Sequence, residues 1–357
     1  MSTAGLSEFF ASNADCDSPL VLASVFATDG ATYSKTGAFM LINGAGLFQG
    51  MLSGGCLEGD LAERARQVAA DGLAQRVTYD LSQNDEDLWG LGVGCDGQMR
   101  IFLQPLLVGD KYEPLASMLH VLQGDDVEVI AIVIESTSVE APTGASLVSS
   151  AGSYRSFGLQ PAATAILEAA AEDLLSDGRS MTHSIRINGA EVSVLFALLK
   201  PPPNVLVLGA GLDAEPVLGF CAELGWRVTV IDHRPAYIEK GNFTGAQRVL
   251  CCPADSLTAI VDLRRFDAAI VMSHHLTTDR SYLEQLAATE ITYIGLLGPR
   301  ERRMRLMHDL GDTASRLEAR LSGPAGLDIG GRGPASIALS IVSEMHVKLL
   351  AEKTAPK

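Results

Sequence analysis

Val205-Leu206-Val207-Leu208-Gly209-Ala210-Gly211-Leu212-Asp213-Ala214 is an apolar run that breaks on two glycines and reopens as a helical pattern. Residues 214–224 keep that pattern, Gly225 supplies a stop, and Val228-Thr229-Val230-Ile231-Asp232 reads as the next strand. Strand, glycine turn, helix and strand in this order form the G-x-G-x-x-A version of a dinucleotide fingerprint, with an acid 21 residues after its second glycine. The pattern predicts a Rossmann-like, doubly wound parallel sheet over residues 201–357. In it, Gly209 and Gly211 would admit a phosphate-bearing ligand and Asp232 would take a ribose diol, with NAD as one candidate. Asp213 and Glu215 place two carboxylates where a pyrophosphate would come, so a Rossmann scaffold that holds no nicotinamide stays open as an alternative.

Downstream, Ala268-Ala269-Ile270-Val271-Met272 reads as a core strand, and Ser273-His274-His275 leaves its carboxyl end, where open α/β sheets gather ligands. This position makes His274 a candidate ligand contact. Pro299 then opens a helix carrying Arg300, Arg302, Arg303 and Arg305. Cations at a helix start are placed against the dipole and call for an anion. Arg300 and Arg302 are therefore candidate cofactor contacts, with solvated charge or pairing to protein carboxylates as the other outcomes. The chain closes with an apolar helical pattern over residues 337–350.

Upstream, Lys200-Pro201-Pro202-Pro203 cannot continue a ladder or a helix and marks a boundary between residues 1–200 and 201–357. The N-terminal part reads as a mixed α/β domain, with hairpins predicted at Asn43-Gly44 and Asn188-Gly189. Within it, Leu52-Ser53-Gly54-Gly55-Cys56-Leu57-Glu58-Gly59-Asp60 closes an apolar segment and opens an amphipathic helix. Cys56 thus sits near a helix start, where N–H groups and the dipole favour an anion or a thiolate. Gly54 and Gly55 allow a sharp turn and close approach of a ligand. A tight strand-to-helix turn with a small buried thiol is the alternative. A second glycine-rich stretch, Gly90-Leu91-Gly92-Val93-Gly94-Cys95-Asp96-Gly97, offers Cys95 as a partner for the same pocket.

The chain has 357 residues, 47% of them hydrophobic and 20% charged, which suits two globular domains with their own cores. A formal charge of −16 argues against general affinity for nucleic acid or anionic membrane. The six cysteines, at 16, 56, 95, 221, 251 and 252, show no zinc spacing and no C-x-x-C pair, which fits a reducing cytoplasm. Neither an export signal nor a membrane span is expected.

Taken together, Ser53-Gly54-Gly55-Cys56-Leu57-Glu58, the turn at 92–97, the Rossmann segment through Asp232-His233-Arg234-Pro235, Met272-Ser273-His274-His275, the stretch from Tyr293 to Arg300, and Gly323-Pro324-Ala325-Gly326-Leu327-Asp328-Ile329-Gly330 resemble the xanthine dehydrogenase accessory protein family (XdhC/CoxI). The resemblance implies a cytoplasmic, homodimeric chaperone that binds the molybdenum cofactor, as molybdopterin or its dinucleotide form. It also implies that the chaperone assists cofactor sulfuration by a cysteine desulfurase and inserts the cofactor into a molybdenum hydroxylase of the xanthine, aldehyde or carbon monoxide dehydrogenase type. Gly54, Gly55, Cys56, Glu58 and Cys95 are the site residues this suggests in the first domain. The chain departs from the family at Ala31-Thr32-Tyr33-Ser34-Lys35-Thr36-Gly37 and at Asp96. A rival from another class is a nicotinamide-dependent oxidoreductase built on the Rossmann half, although no acid–base constellation for it stands out.

Overall fold

The computed structural model describes residues 3–80 and 97–350, so Cys95 and all of its predicted turn except Gly97 lie outside the described residues. Two compact units make up the chain, Met1–Pro201 and Pro202–Lys357.

The first unit builds the same motif twice. A helix, Thr3–Ala14, precedes β1 (Leu20–Gly30), β2 (Phe39–Asn43) and β3 (Phe48–Gln49). A second helix, Glu58–Asp71, leads to β4 (Gln75–Asp80) and β5 (Gly97–Leu106). The series then repeats with helix Leu115–Leu122, β6 (Glu128–Ser136), β7 (Ser146–Ser150), β8 (Ser153–Phe157), helix Pro161–Asp177, β9 (Met181–Ile187) and β10 (Ala190–Leu199). Both five-stranded sheets have the same order, β3-β2-β1-β5-β4 and β8-β7-β6-β10-β9, and every pairing in them is antiparallel.

The likeness extends to single residues. Each central pair carries one bulge, with Phe26 skipped in β1 and Ile134 skipped in β6. Beside each bulge a Thr-Gly-Ala triplet closes the same bonds: Gly37 N–H donates to Val25 O and Gly144 N–H to Val133 O, both at 2.8 Å. Both long helices end on Asp-Gly, with Gly72 (φ 67°) and Gly178 (φ 69°) in the left-handed conformation that caps a helix without a Cβ penalty.

Period-two alternation sorts the strands into layers. Leu20, Leu22, Ile130, Ile132, Leu195 and Ala197 point into a core shared by the two sheets and the helices Thr3–Ala14 and Leu115–Leu122. The opposite faces, Val21, Ala23 and Val25 in one sheet and Val129, Ala131 and Val133 in the other, pack under helices Glu58–Asp71 and Pro161–Asp177.

The second unit is the predicted parallel sheet. Its strands are β11 (Asn204–Leu208), β12 (Arg227–Asp232), β13 (Arg248–Cys251), β14 (Ala268–Val271), β15 (Tyr293–Leu296) and β16 (Leu321–Ser322), in the order β13-β12-β11-β14-β15-β16. Strand order reverses between β11 and β14, so their carboxyl ends flank the switch-point crevice. Among the described residues no helix is long and apolar enough to cross a membrane.

The two predicted hairpins differ. Asn188 (φ 46°) and Gly189 (φ 86°) form the tight turn between β9 and β10. At Asn43-Gly44 the turn is wider, because the Asn43 side chain accepts the Ala45 and Leu47 N–H groups and Gly46 takes the positive φ.

Leu61 and Leu167 are fully buried, each eleven residues before its capping glycine. Replacing either with Ala is expected to cost about 2–5 kcal/mol in urea unfolding of the whole chain. A large effect at one site and none at the other would contradict the repeat.

Candidate functional site

The Cys56 loop of the first unit is held from the inside. Between β3 and helix Glu58–Asp71 the backbone turns through Gly54 (φ 80°) and Gly55 (φ 112°), a conformation that side-chain-bearing residues rarely adopt. Glu58, only 3% exposed, folds its carboxylate back into this turn. Oε1 accepts the N–H groups of Leu52 (2.9 Å) and Ser53 (2.8 Å). Oε2 accepts the Ser53 hydroxyl (2.5 Å) and the Gly55 N–H (3.0 Å). Ser53 Oγ in turn accepts the Leu57 N–H at 2.8 Å. Burial opposes the charge on Glu58, but the hydrogen bonds from Ser53 and Leu52 outweigh it and hold the carboxyl below its usual range. Glu58, expected at the cofactor, turns its carboxylate onto its own loop, where buried donors must be paired. For the same reason the Leu52, Ser53 and Gly55 N–H groups are not available to a phosphate.

The thiol follows directly on this frame. Cys56 is half-buried and leans on the apolar cluster beneath the helix. A Cβ at Gly54 would lie 3.3 Å from the ring of Tyr33, whereas one at Gly55 would meet nothing within 4 Å. The loop thus has one side covered by an exposed tyrosine and one side open. Ser34 Oγ–H donates to Met51 O at 3.4 Å, which ties the segment of residues 31–37 to this turn. No sequence pattern singles out Tyr33 as a site residue. Further along the helix, Asp60 accepts from Tyr79 Oη–H and Arg64 Nε–H, both at 2.6 Å.

In the Rossmann unit the fingerprint has the expected backbone and a different chemistry. Gly209 (φ 133°) allows its turn to pass against the Met272 carbonyl and the Ser273 N–H, where a Cβ would collide. At Gly211 a Cβ would lie 2.6 Å from Asp213 Oδ1, so these glycines first serve contacts within the protein. Asp232 is fully buried. One oxygen takes the Ala210 N–H (2.7 Å) and Arg234 Nη2 (2.7 Å), and the other takes Arg234 N–H (2.8 Å) and Nε (2.9 Å). Asp232, expected to take a ribose diol, clamps the glycine turn to the end of β12 through these bonds. Burial again opposes the charge, and Arg234 and Ala210 outweigh it, so the carboxyl lies below the usual Asp range.

His274, at φ 61° after β14, places Nε2 2.7 Å from Asp213 Oδ2. The pair sits at the switch point, and the histidine that would contact a ligand is bonded to the carboxylate that would repel a phosphate. Arg302 takes the protein-carboxylate outcome that its sequence position left open. Its Nη2 and Nε donate to Asp279 Oδ2 at 2.6 and 3.1 Å, and Asp279 Oδ1 accepts the Ser273 hydroxyl at 2.5 Å. The anion required at that helix start is thus a protein carboxylate. Arg300 remains exposed and Arg303 half-buried. Glu344, not anticipated from sequence, plays the same part at β15 and β16, accepting from Tyr293 Oη, Ser322 Oγ and the Gly326 N–H. Among the described residues no group of three or more His, Cys, Asp or Glu side chains is placed to hold a metal ion.

Fold and site together define a two-domain α/β protein, with a doubled antiparallel unit presenting one thiol on a glycine turn and a Rossmann unit whose turns are clamped by carboxylates. Residues 15–80 match the XdhC and CoxI family, and residues 205–345 match the XdhC Rossmann domain. The chain belongs to the XdhC/CoxI family. It is 28% identical over 329 residues to a Bacillus subtilis protein named as a probable xanthine dehydrogenase subunit, covering 91% of this chain and 92% of that one. An uncharacterised protein from Escherichia coli, YqeB, is 26% identical over 162 residues, which are 44% of this chain and 29% of the relative. A crystal structure described as a xanthine dehydrogenase from Bacillus halodurans superposes with a TM-score of 0.78 at 28% identity, covering 100% of this chain and 98% of that one.

The Asp232 clamp has a pH signature. A carboxyl whose folded pKa lies below its unfolded value, about 3.9, contributes stability above that value and loses it as pH falls through the folded one. Asp232→Asn is expected to cost about 2–3 kcal/mol near neutral pH, the scale of charge-assisted hydrogen bonds. Its deficit against wild type in urea unfolding should shrink as the buffer is taken below about pH 4. A deficit that stays constant with pH would contradict the clamp.

Proposed function

We propose that this protein is an accessory factor that binds the molybdenum cofactor, assists its sulfuration by a cysteine desulfurase, and delivers it to a molybdenum hydroxylase in the cytoplasm. The observation that carries this reading is the half-exposed Cys56 thiol on a turn with one open side and a rigid inner frame. The names of the Bacillus relatives support the choice of a xanthine dehydrogenase as client.

The residues present suit such a cargo. A thiol is a soft group of the kind that a molybdenum–dithiolene end would meet, and the open side of Gly55 lets a planar ring system approach the backbone. Tyr33 offers an exposed aromatic face beside Gly54 for a pterin to stack on. Lys35, exposed in the same segment, supplies positive charge for a phosphate in a chain that is otherwise strongly acidic. When bound, the cofactor brings the redox centre that the client uses; the work of this chain is to hold and orient it. The nicotinamide reading loses its ribose acceptor, because both Asp232 oxygens are engaged by Ala210 and Arg234.

Cys56→Ser should keep the fold and lower retention of the fluorescent pterin on the purified protein by about tenfold, a loss of roughly 1.4 kcal/mol. Activation of a cofactor-free client should fall with it. Wild-type retention and activation in the folded variant would overturn the role of Cys56.

A further inference from the structure

The two repeats of the first unit show one helix start in two states. Gln49 pairs with Leu41 as Arg155 pairs with Val148, and Gln75 pairs with Leu103 as Met181 pairs with Phe196. The chain between those anchors has the same length in both repeats, so Gly55, Cys56, Leu57 and Glu58 correspond to Pro161, Ala162, Ala163 and Thr164. In the second repeat the helix begins at Pro161; in the first it begins at Glu58, one turn later. Leu57 and Ala163 are both buried, yet Ala162 is exposed on its helix while Cys56 is drawn half into the core. The missing turn is where the Glu58 carboxylate takes the Leu52, Ser53 and Gly55 donors, and the second repeat has Thr164 at that position.

We infer that Glu58 is a positioning residue that keeps the first turn of this helix unwound and so sets the depth and direction of the Cys56 thiol. The part of the inference that concerns cofactor holding rests on the function proposed above; the latch itself does not. Two local structures compete for the same residues. Winding would give regular helical bonds, at a helix-propensity cost of up to about 1 kcal/mol for each glycine relative to Ala. In the wound repeat the first such bond runs from Thr164 N–H to Gln160 O at 2.9 Å, whereas the latch gives the Leu52, Ser53 and Gly55 N–H groups one buried carboxylate instead. With the latch in place, Cys56 packs against the buried cluster that includes Leu52, Leu57 and Leu61. Without it, Cys56 takes the exposed place of Ala162.

The test is site-resolved alkylation of the full chain by iodoacetamide, read by peptide mass spectrometry with exposed Cys16 and Cys251 as internal references. Glu58→Gln is expected to raise the Cys56 rate about tenfold relative to those references, the factor that corresponds to losing about one charge-assisted hydrogen bond. Ser53→Ala, which removes the hydroxyl that donates to Glu58 and accepts the Leu57 N–H but leaves the carboxylate in place, should give a smaller rise, about threefold, and serves if Glu58→Gln does not fold. Restoring the carboxylate with a shorter reach, Glu58→Asp, should recover part of the wild-type rate. Unchanged Cys56 rates in folded Glu58→Gln and Ser53→Ala proteins would overturn the inference. If Glu58→Gln unlocks the thiol while Cys56→Ser retains pterin fully, the latch stands and the cofactor reading falls.

Discussion

Carboxylates turned inward onto glycine-rich turns are the constraint on which both units depend. A sharp turn strands backbone N–H groups away from a ladder, and in a buried turn each must find an acceptor. Glu58 does this for the thiol loop, Asp232 for the dinucleotide-type turn, and Glu344 for the turn at residue 326. Asp279 gives the same service to the cation of Arg302 and the hydroxyl of Ser273. Sites that sequence patterns mark as anion-binding are thereby satisfied from within, and the surfaces above them carry a thiol, a histidine and an aromatic ring.

Duplication explains how such a loop can exist without weakening the fold. The two sheets share one core and each has its own helix on the outer face, so the layers are complete in either repeat. The second repeat keeps a regular helix start with proline in its first turn. The first has given up one helical turn, along with its backbone bonds, to place a cysteine at the end of a rigid frame. The proposed site is a local exception to a pattern that the rest of the unit obeys.

Much of the architecture is legible in the sequence, because hydrophobic period and turn chemistry agree over most of it. The Rossmann unit can be read from two glycines and an acid, since strand, turn and helix must follow in that order for the motif to pack. The doubling of the first unit does not emerge from the sequence alone, although Thr36-Gly37-Ala38 echoes Thr143-Gly144-Ala145 and Asp71-Gly72 echoes Asp177-Gly178. Those pairs gain meaning only when strand pairing places them at equivalent bulges and caps. Site residues are less legible still. Sequence names the residue types at a turn but not whether a carboxylate faces out to a ligand or inward to the backbone, and Glu58, Asp232 and Arg302 all turn inward. The partner of Arg302, Asp279, lies 23 residues away in the chain, where no spacing rule links them.

On the function proposed above, the cofactor binds at the Cys56 turn of the first unit and not at the dinucleotide-type turn of the second. Hydrogen–deuterium exchange of the full chain with and without added molybdenum cofactor tests it most directly, since the two turns fall in separate peptides. Cofactor is expected to slow exchange in peptides spanning residues 31–37 and 52–58 and to leave residues 205–215 and 272–275 unchanged. Protection confined to the second pair, with residues 52–58 exchanging as before, would contradict it.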